Sequence, residues 1–173
     1  LAVVDRRDEP EGLIRQGNEW VIGARLADAR FFFDEDRRRP LASLVPGLAR
    51  LEFHRRLGSL ADKVERVASL ARVLGAGAGV EVDDEHLRLA AGLVKADLLT
   101  YMVGEFPELQ GIMGGHYLRL EGADDDLVSA ARDHYRPSGF EGEPPASVLG
   151  RLLAAADRLD TVAGLFAVGE VPT

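Results

Sequence analysis

Val148-Leu149-Gly150-Arg151-Leu152-Leu153-Ala154-Ala155-Ala156-Asp157-Arg158-Leu159-Asp160-Thr161-Val162-Ala163-Gly164-Leu165-Phe166 is the stretch whose reading decides the fold class. Val148, Leu152, Leu153, Ala156, Leu159, Val162, Ala163 and Phe166 recur at three- and four-residue steps, the spacing of one buried helix face. A helix is therefore expected from about Pro144-Pro145 to Val168. Asp157 and Asp160 stand three apart and share one face of it. Their flanks, Ala154-Ala155-Ala156 and Thr161-Val162-Ala163, are small and apolar, which puts both carboxylates near a core edge. A carboxylate taken from water needs a partner, and Lys63, Lys95 or Arg66 on a neighbouring helix would supply one. The pair reads either as a structural ion pair or as a polar site, working or remnant.

The same periodicity extends toward the N-terminus. Leu60, Val64, Val67, Leu70, Ala71 and Leu74 mark a helix over about Leu57 to Leu74, stopped by the glycine run Gly75 to Gly79. Leu87, Leu89, Ala90, Leu93, Val94, Leu98 and Leu99 mark another from about Asp84 to Val103, capped by Asp83 or Asp84. Pro107 opens a further helix through Leu109, Ile112, Met113, Tyr117 and Leu120 to Gly122, and Asp124 to Tyr135 makes a short one. Asn18 to Asp36 reads as a helix with Asn18 as N-cap and a wide apolar face of Trp20, Val21, Ala24, Leu26, Ala27, Phe31 and Phe32. Pro40 ends it. No strand alternation is sustained, although Leu51-Glu52-Phe53 and Val80-Glu81-Val82 suit extended links. The expectation is an all-α bundle of about six helices over residues 17–173. Residues 1–16, with a turn at Asp8-Glu9-Pro10-Glu11-Gly12, would be a linker or the end of a preceding region.

Composition bounds what such a bundle does. The chain has 173 residues, 46% of them apolar and 29% charged, with a net charge of −8. That balance argues against a general nucleic-acid coating protein, for which a basic domain is expected, and no DNA partner is expected. Cysteine is absent, which removes disulfides, thiolate zinc sites and thiol catalysis. No apolar run approaches the roughly 20 residues of a membrane span. The chain starts at Leu1 and has no signal-peptide pattern, so it is read as a cytoplasmic piece cut from something longer. Among 21 basic residues only Lys63 and Lys95 are lysine. An ammonium and a guanidinium are not interchangeable, so those two positions stand out. Arg37-Arg38-Arg39 reads either as a solvated charge run at a helix C-terminus or as a phosphate contact. With Arg55-Arg56 it makes the best candidate basic patch.

Catalytic patterns are missing. The four histidines, His54, His86, His116 and His134, include no His-Asp dipeptide, only the reversed Asp133-His134. His86 is expected to be exposed, and His116 half-buried and hydrogen-bonded. Gly75 to Gly79 lacks the Lys-Ser/Thr of a phosphate loop, and no Gly-x-Ser-x-Gly occurs. No catalytic residue, metal ligand set or cofactor of the chain's own is expected.

Four strings carry a resemblance. Ala24-Arg25-Leu26-Ala27-Asp28-Ala29-Arg30-Phe31-Phe32-Phe33-Asp34-Glu35-Asp36, then Leu57-Gly58-Ser59-Leu60 with Asp62-Lys63-Val64-Glu65-Arg66, then Lys95 through Gly114, and then Ala156-Asp157-Arg158-Leu159-Asp160-Thr161 resemble, in order, the β subunit of bacterial glycyl-tRNA synthetases. Val171-Pro172-Thr173 falls where that family continues. The resemblance implies part of an α2β2 ligase that charges tRNA(Gly) with glycine, with ATP and Mg²⁺ used at the α subunit. It also implies that this segment is an HD-like helical domain. On the HD metal pattern Lys63 falls near the first His, Lys95-Ala96-Asp97 near the His-Asp pair, and Asp157 at the closing Asp, with Asp160 beside it. A degenerate site is thus implied, with lysine ammoniums in the metal's electrostatic place. The expected work is architectural and tRNA-contacting; the rivals are a metal-dependent HD-type phosphohydrolase and a purely structural module.

Overall fold

The computed structural model describes residues 12–139 and 141–170. The turn expected at 8–12 therefore falls almost wholly outside the described residues, as does the terminal 171–173. Seven α-helices are seen among the described residues: α1 (Leu13–Asp36), α2 (Leu60–Gly77), α3 (Asp84–Ala96), α4 (Tyr101–Glu105), α5 (Ile112–Leu120), α6 (Asp125–Asp133) and α7 (Val148–Ala167). A 3-10 helix, Leu41–Arg50, links α1 to a small antiparallel hairpin of β1 (Glu52–His54) and β2 (Gly58–Ser59), in which Glu52 faces Ser59. The fold is all-α, with that hairpin as its one strand pair among the described residues.

Local chemistry sets most of the boundaries. Ser59 caps α2 by accepting from the Asp62 amide, and the Asp62 carboxylate in turn accepts from the Ser59 amide, a reciprocal capping box. The side chains of Asp83, Asp124 and Ser147 likewise accept a first-turn amide and cap α3, α6 and α7. Asn18 is not the cap of α1. That helix starts at Leu13, directly after Gly12, and runs unbroken through Asn18.

Two expected long helices are broken. The one over 84–103 stops at Ala96, passes through a 3-10 turn at Asp97–Leu99, and restarts as α4 with Thr100 as N-cap. The one from Pro107 is a 3-10 turn, Pro107–Leu109, separated from α5 by Gly111 at φ +79°. Asp97 holds the two breaks together. Its carboxylate Oδ2 accepts from the Gly111 amide at 2.6 Å and from the Gly114 amide at 3.1 Å. Those bonds satisfy free amides at the start of α5 and fix the turn between the two broken helices.

The core lies where α2, α3, α6, α7 and the Leu41–Arg50 helix pack together, with α5 on α6. Close approach depends on small residues: a Cβ on Gly115 would stand 2.9 Å from Val128 O and from Arg132 Cβ, so α5 and α6 touch backbone to backbone there. The buried stripe of α7 is Leu149, Leu152, Leu153, Ala154 and Ala156. Val148, at the first position of α7, and Leu159, Val162 and Phe166 of the expected stripe are about half exposed, and the buried residues of α7 all lie between Leu149 and Ala156. Trp20, Val21, Leu26 and Phe31 on α1 are likewise exposed, and no residue of that helix is fully buried.

Candidate functional site: a buried lysine–aspartate network

α2, α3 and α7 lie side by side, and each turns ionised side chains toward the seam they share. From α2, Lys63 Nζ stands 3.0 Å from Asp157 Oδ1 and 3.1 Å from Asp160 Oδ2, and donates to Thr161 Oγ1 at 2.7 Å. From α3, Lys95 Nζ donates to Asp157 Oδ2 at 3.1 Å. Arg66, one turn beyond Lys63, donates through Nε to Asp160 Oδ1 at 2.6 Å and through Nη2 to Asp160 Oδ2 at 3.2 Å. Each ammonium also lies over an aromatic ring: Lys63 over Phe53 at 4.4 Å and Lys95 over Tyr135 at 4.2 Å. Lys63 and Lys95 are only 4% and 7% exposed, a degree of burial that lysine tolerates only when paired.

Electrostatics follow from this crowding. Burial alone pushes the Asp157 carboxyl up, but the Lys95 and Lys63 charges more than offset it, and the net shift is downward. Burial lowers Lys95, against the pull of Asp157. His134, at the C-cap of α6, is 1% exposed and donates Nδ1–H to Ala131 O at 2.7 Å. That bond leaves Nε2 as the lone-pair nitrogen. Burial, with Lys95 adding to it, drives the His134 pKa down to about 3, so the ring is neutral. His134, Lys63, Lys95 and Asp157 line a cavity of about 10 Å³ with apolar walls from Val64, Val94 and Leu153. His134 was not legible as part of the site. Its sequence signal, the reversed Asp133-His134, carries no ligand spacing, and only the docking of α6 on α7 brings the ring in.

Asp97 is fully buried but does not join an ion pair. Gly111 and Gly114 amides hold Oδ2, and burial raises its pKa against those bonds and against the Lys95 charge. The network thus contains Lys63, Lys95, Asp157 and Asp160, with Arg66 and Thr161 closing it, while Asp97 serves the backbone.

A divalent metal does not fit here. Both Asp157 oxygens face ammoniums at about 3 Å, and an added cation would meet two fixed positive charges that are themselves buried. Among the described residues no group of three or more His, Cys, Asp or Glu could hold a metal ion. Of the other histidines, His54 Nε2 meets Glu170 at 3.0 Å. His86 is partly buried rather than exposed, and His116 is exposed rather than half-buried, its ring 5.8 Å from Phe33.

The two arginine runs are exposed and separate. Arg37 lies over the Phe33 ring at 5.3 Å, and Arg38 pairs with Glu35 at 2.8 Å. Arg56 donates to Val168 O at 2.6 Å, tying the hairpin to the end of α7. Arg39 and Arg55 are also exposed; Arg55 assists His54 in lowering the Glu170 pKa. No contact joins the two runs among the described residues.

The fold and site together define an all-α domain with a lysine-neutralised carboxylate seam, and no ligand set for a metal ion among the described residues. Sequence comparison gives it a lineage. The family model described as "Glycyl-tRNA synthetase beta subunit" matches residues 1–173, and the chain belongs to that family. It is 50% identical over 174 residues to the glycine–tRNA ligase β subunit of Nitrosomonas europaea, covering 100% of this chain and 24% of that protein. It is 49% identical over 158 residues to that of Methylobacillus flagellatus, covering 91% and 22%. For Dechloromonas aromatica the identity is 44% over 174 residues, covering 100% and 24%. The chain therefore spans about a quarter of the length of these relatives.

Proposed function

We propose that this domain works as an architectural and tRNA-contacting part of an α2β2 glycine–tRNA ligase in the cytoplasm, with no hydrolytic chemistry of its own. In that assembly glycine is activated with ATP and Mg²⁺ on the α subunit, and the β subunit helps present tRNA(Gly). The observation that carries this reading is the lysine–aspartate network. Lys63 and Lys95 hold Asp157, at the closing-Asp position of an HD-type phosphohydrolase, while backbone amides hold Asp97, so an HD-like bundle keeps its shape without the reaction. The phosphohydrolase reading loses its support at the same atoms.

Contacts to tRNA would be directed at phosphates. Arginine supplies nearly all the basic residues, and its two runs are exposed, where guanidinium groups meet phosphate oxygens. With a net charge of −8 the domain binds RNA weakly by itself, and the arginines act when the whole synthetase holds the tRNA. The test is charge reversal at Arg38, Arg39 and Arg55, which spares the packing of Arg37 on Phe33 and the Arg56 tie to α7. In the full ligase this variant raises the KM for tRNA. It also flattens the log–log salt dependence by about 0.7–0.9 for each phosphate left without its arginine. ATP–glycine activation stays unchanged. Unaltered tRNA kinetics would leave the domain a purely structural module; impaired activation would sink the assignment.

A further inference from the structure

α1 has an apolar seam that nothing in the described structure covers. Leu13, Gly17, Trp20, Ala24, Ala27 and Phe31 follow one another at steps of four, three, four, three and four. That is the spacing of a helix–helix seam, extending about 27 Å along the axis. Trp20 is 77% exposed, and Leu13 and Phe31 about 60%. Small residues (Gly17, Ala24, Ala27) sit between the large ones (Leu13, Trp20, Phe31), and the space beside Gly17 is open. Such relief accepts the ridges of a second helix lying nearly parallel to α1. The helix is anchored at its C-terminal end. There Asp36 accepts from the Tyr101 and Met102 amides at 2.8 and 3.0 Å and from the Tyr117 hydroxyl at 2.9 Å, and Phe33 stacks on Tyr117.

We propose that the Leu13–Phe31 seam seats a helix with an aliphatic stripe supplied in cis, by the part of the β-subunit polypeptide that relatives carry beyond the length matched here. The inference rests on the family membership and is independent of tRNA contact. Relatives are about four times as long as the matched region, so ample polypeptide exists to provide the helix. Size decides against separate molecules. Six seam residues, three of them Gly or Ala, bury far less than the roughly 800 Å² per partner of a stable bimolecular interface. A tethered helix acts at an effective concentration in the millimolar range, and there the same small seam suffices.

Hydrogen exchange read by mass spectrometry tests this without tRNA. In a full-length β subunit carrying this sequence, amides of residues 17–31 exchange at least tenfold more slowly than in the 173-residue chain alone. Trp20→Asp or Ala24→Arg abolishes that protection in the long protein. Neither variant changes the melting temperature of the 173-residue chain, in which both side chains face solvent. Equal exchange in the two proteins overturns the proposal. Protection that grows with concentration of the short chain, as for a second copy, overturns it too, as does protection that arises only on adding the α subunit.

Discussion

Lys95 shows how much one side chain can carry in this domain. It is buried, its ion-pair partner is Asp157, and the Tyr135 ring covers it. Replacing it with Met leaves Asp157 with a single ammonium, and the variant should lose roughly 3–5 kcal/mol, the cost of breaking a buried pair. Urea denaturation of Lys95→Met against the parent chain checks this; a loss under about 0.5 kcal/mol is surface behaviour and would place the ammonium in solvent. His134 gives a pH signature. Its folded pKa of about 3 lies below the ordinary 6.5, so the unfolded chain takes up a proton first as pH falls. The stability it supports is complete above pH 6.5 and drains away toward pH 3, by up to about 1.4 kcal/mol per pH unit. Asp157, also depressed, adds to acid loss only below its ordinary 3.8. Denaturation midpoints between pH 7 and 4 should therefore fall, and His134→Gln should flatten that slope. An unchanged slope in the variant would locate the acid sensitivity elsewhere.

At the scale of elements, the sequence periodicity located the helices but not their breaks. A run of apolar residues at helical steps from Asp84 to Val103 is consistent with one helix, and nothing local at Asp97 forbids it. The chain turns there because the carboxylate of Asp97 finds amides fourteen and seventeen residues later, a gain only the folded geometry offers. Gly111 completes that turn at φ +79°, where an added Cβ would meet Ala131 O at 3.2 Å. Gly111→Ala should therefore cost more than the roughly 1 kcal/mol of an ordinary left-handed site, measured as a lowered melting temperature. A variant as stable as the parent would mean the turn relaxes freely. The hairpin of β1 and β2 escaped the periodicity for a related reason: two- and three-residue strands are too short to alternate.

For the molecule as a whole, the packing of α2, α3 and α7 around paired charges predicts indifference to metals. Manganese, zinc or nickel in excess should not raise the melting temperature. A ligand that binds only the folded state stabilises by about 2.7 kcal/mol at one hundred times its dissociation constant. A clear stabilisation removed by Asp157→Ala would reinstate a metal site. By itself the sequence determined the all-α class, the positions of α2, α6 and α7, a cap of α3 at Asp83 or Asp84, and the family, because period, capping residues and ordered strings are local properties. It also singled out Lys63, Lys95, Asp157 and Asp160, since two lysines among arginines and two carboxylates on an apolar helix are visible in one dimension. Only the tertiary structure decided which cation meets which carboxylate, that Asp97 serves the backbone, that His134 enters the seam, and that no described residue covers the apolar face of α1. Those outcomes depend on contacts between residues 14 to 97 positions apart in the chain, from Asp97–Gly111 to Lys63–Asp160. Burial and pairing energies exist only once separate helices dock, and helical periodicity says nothing about which faces meet.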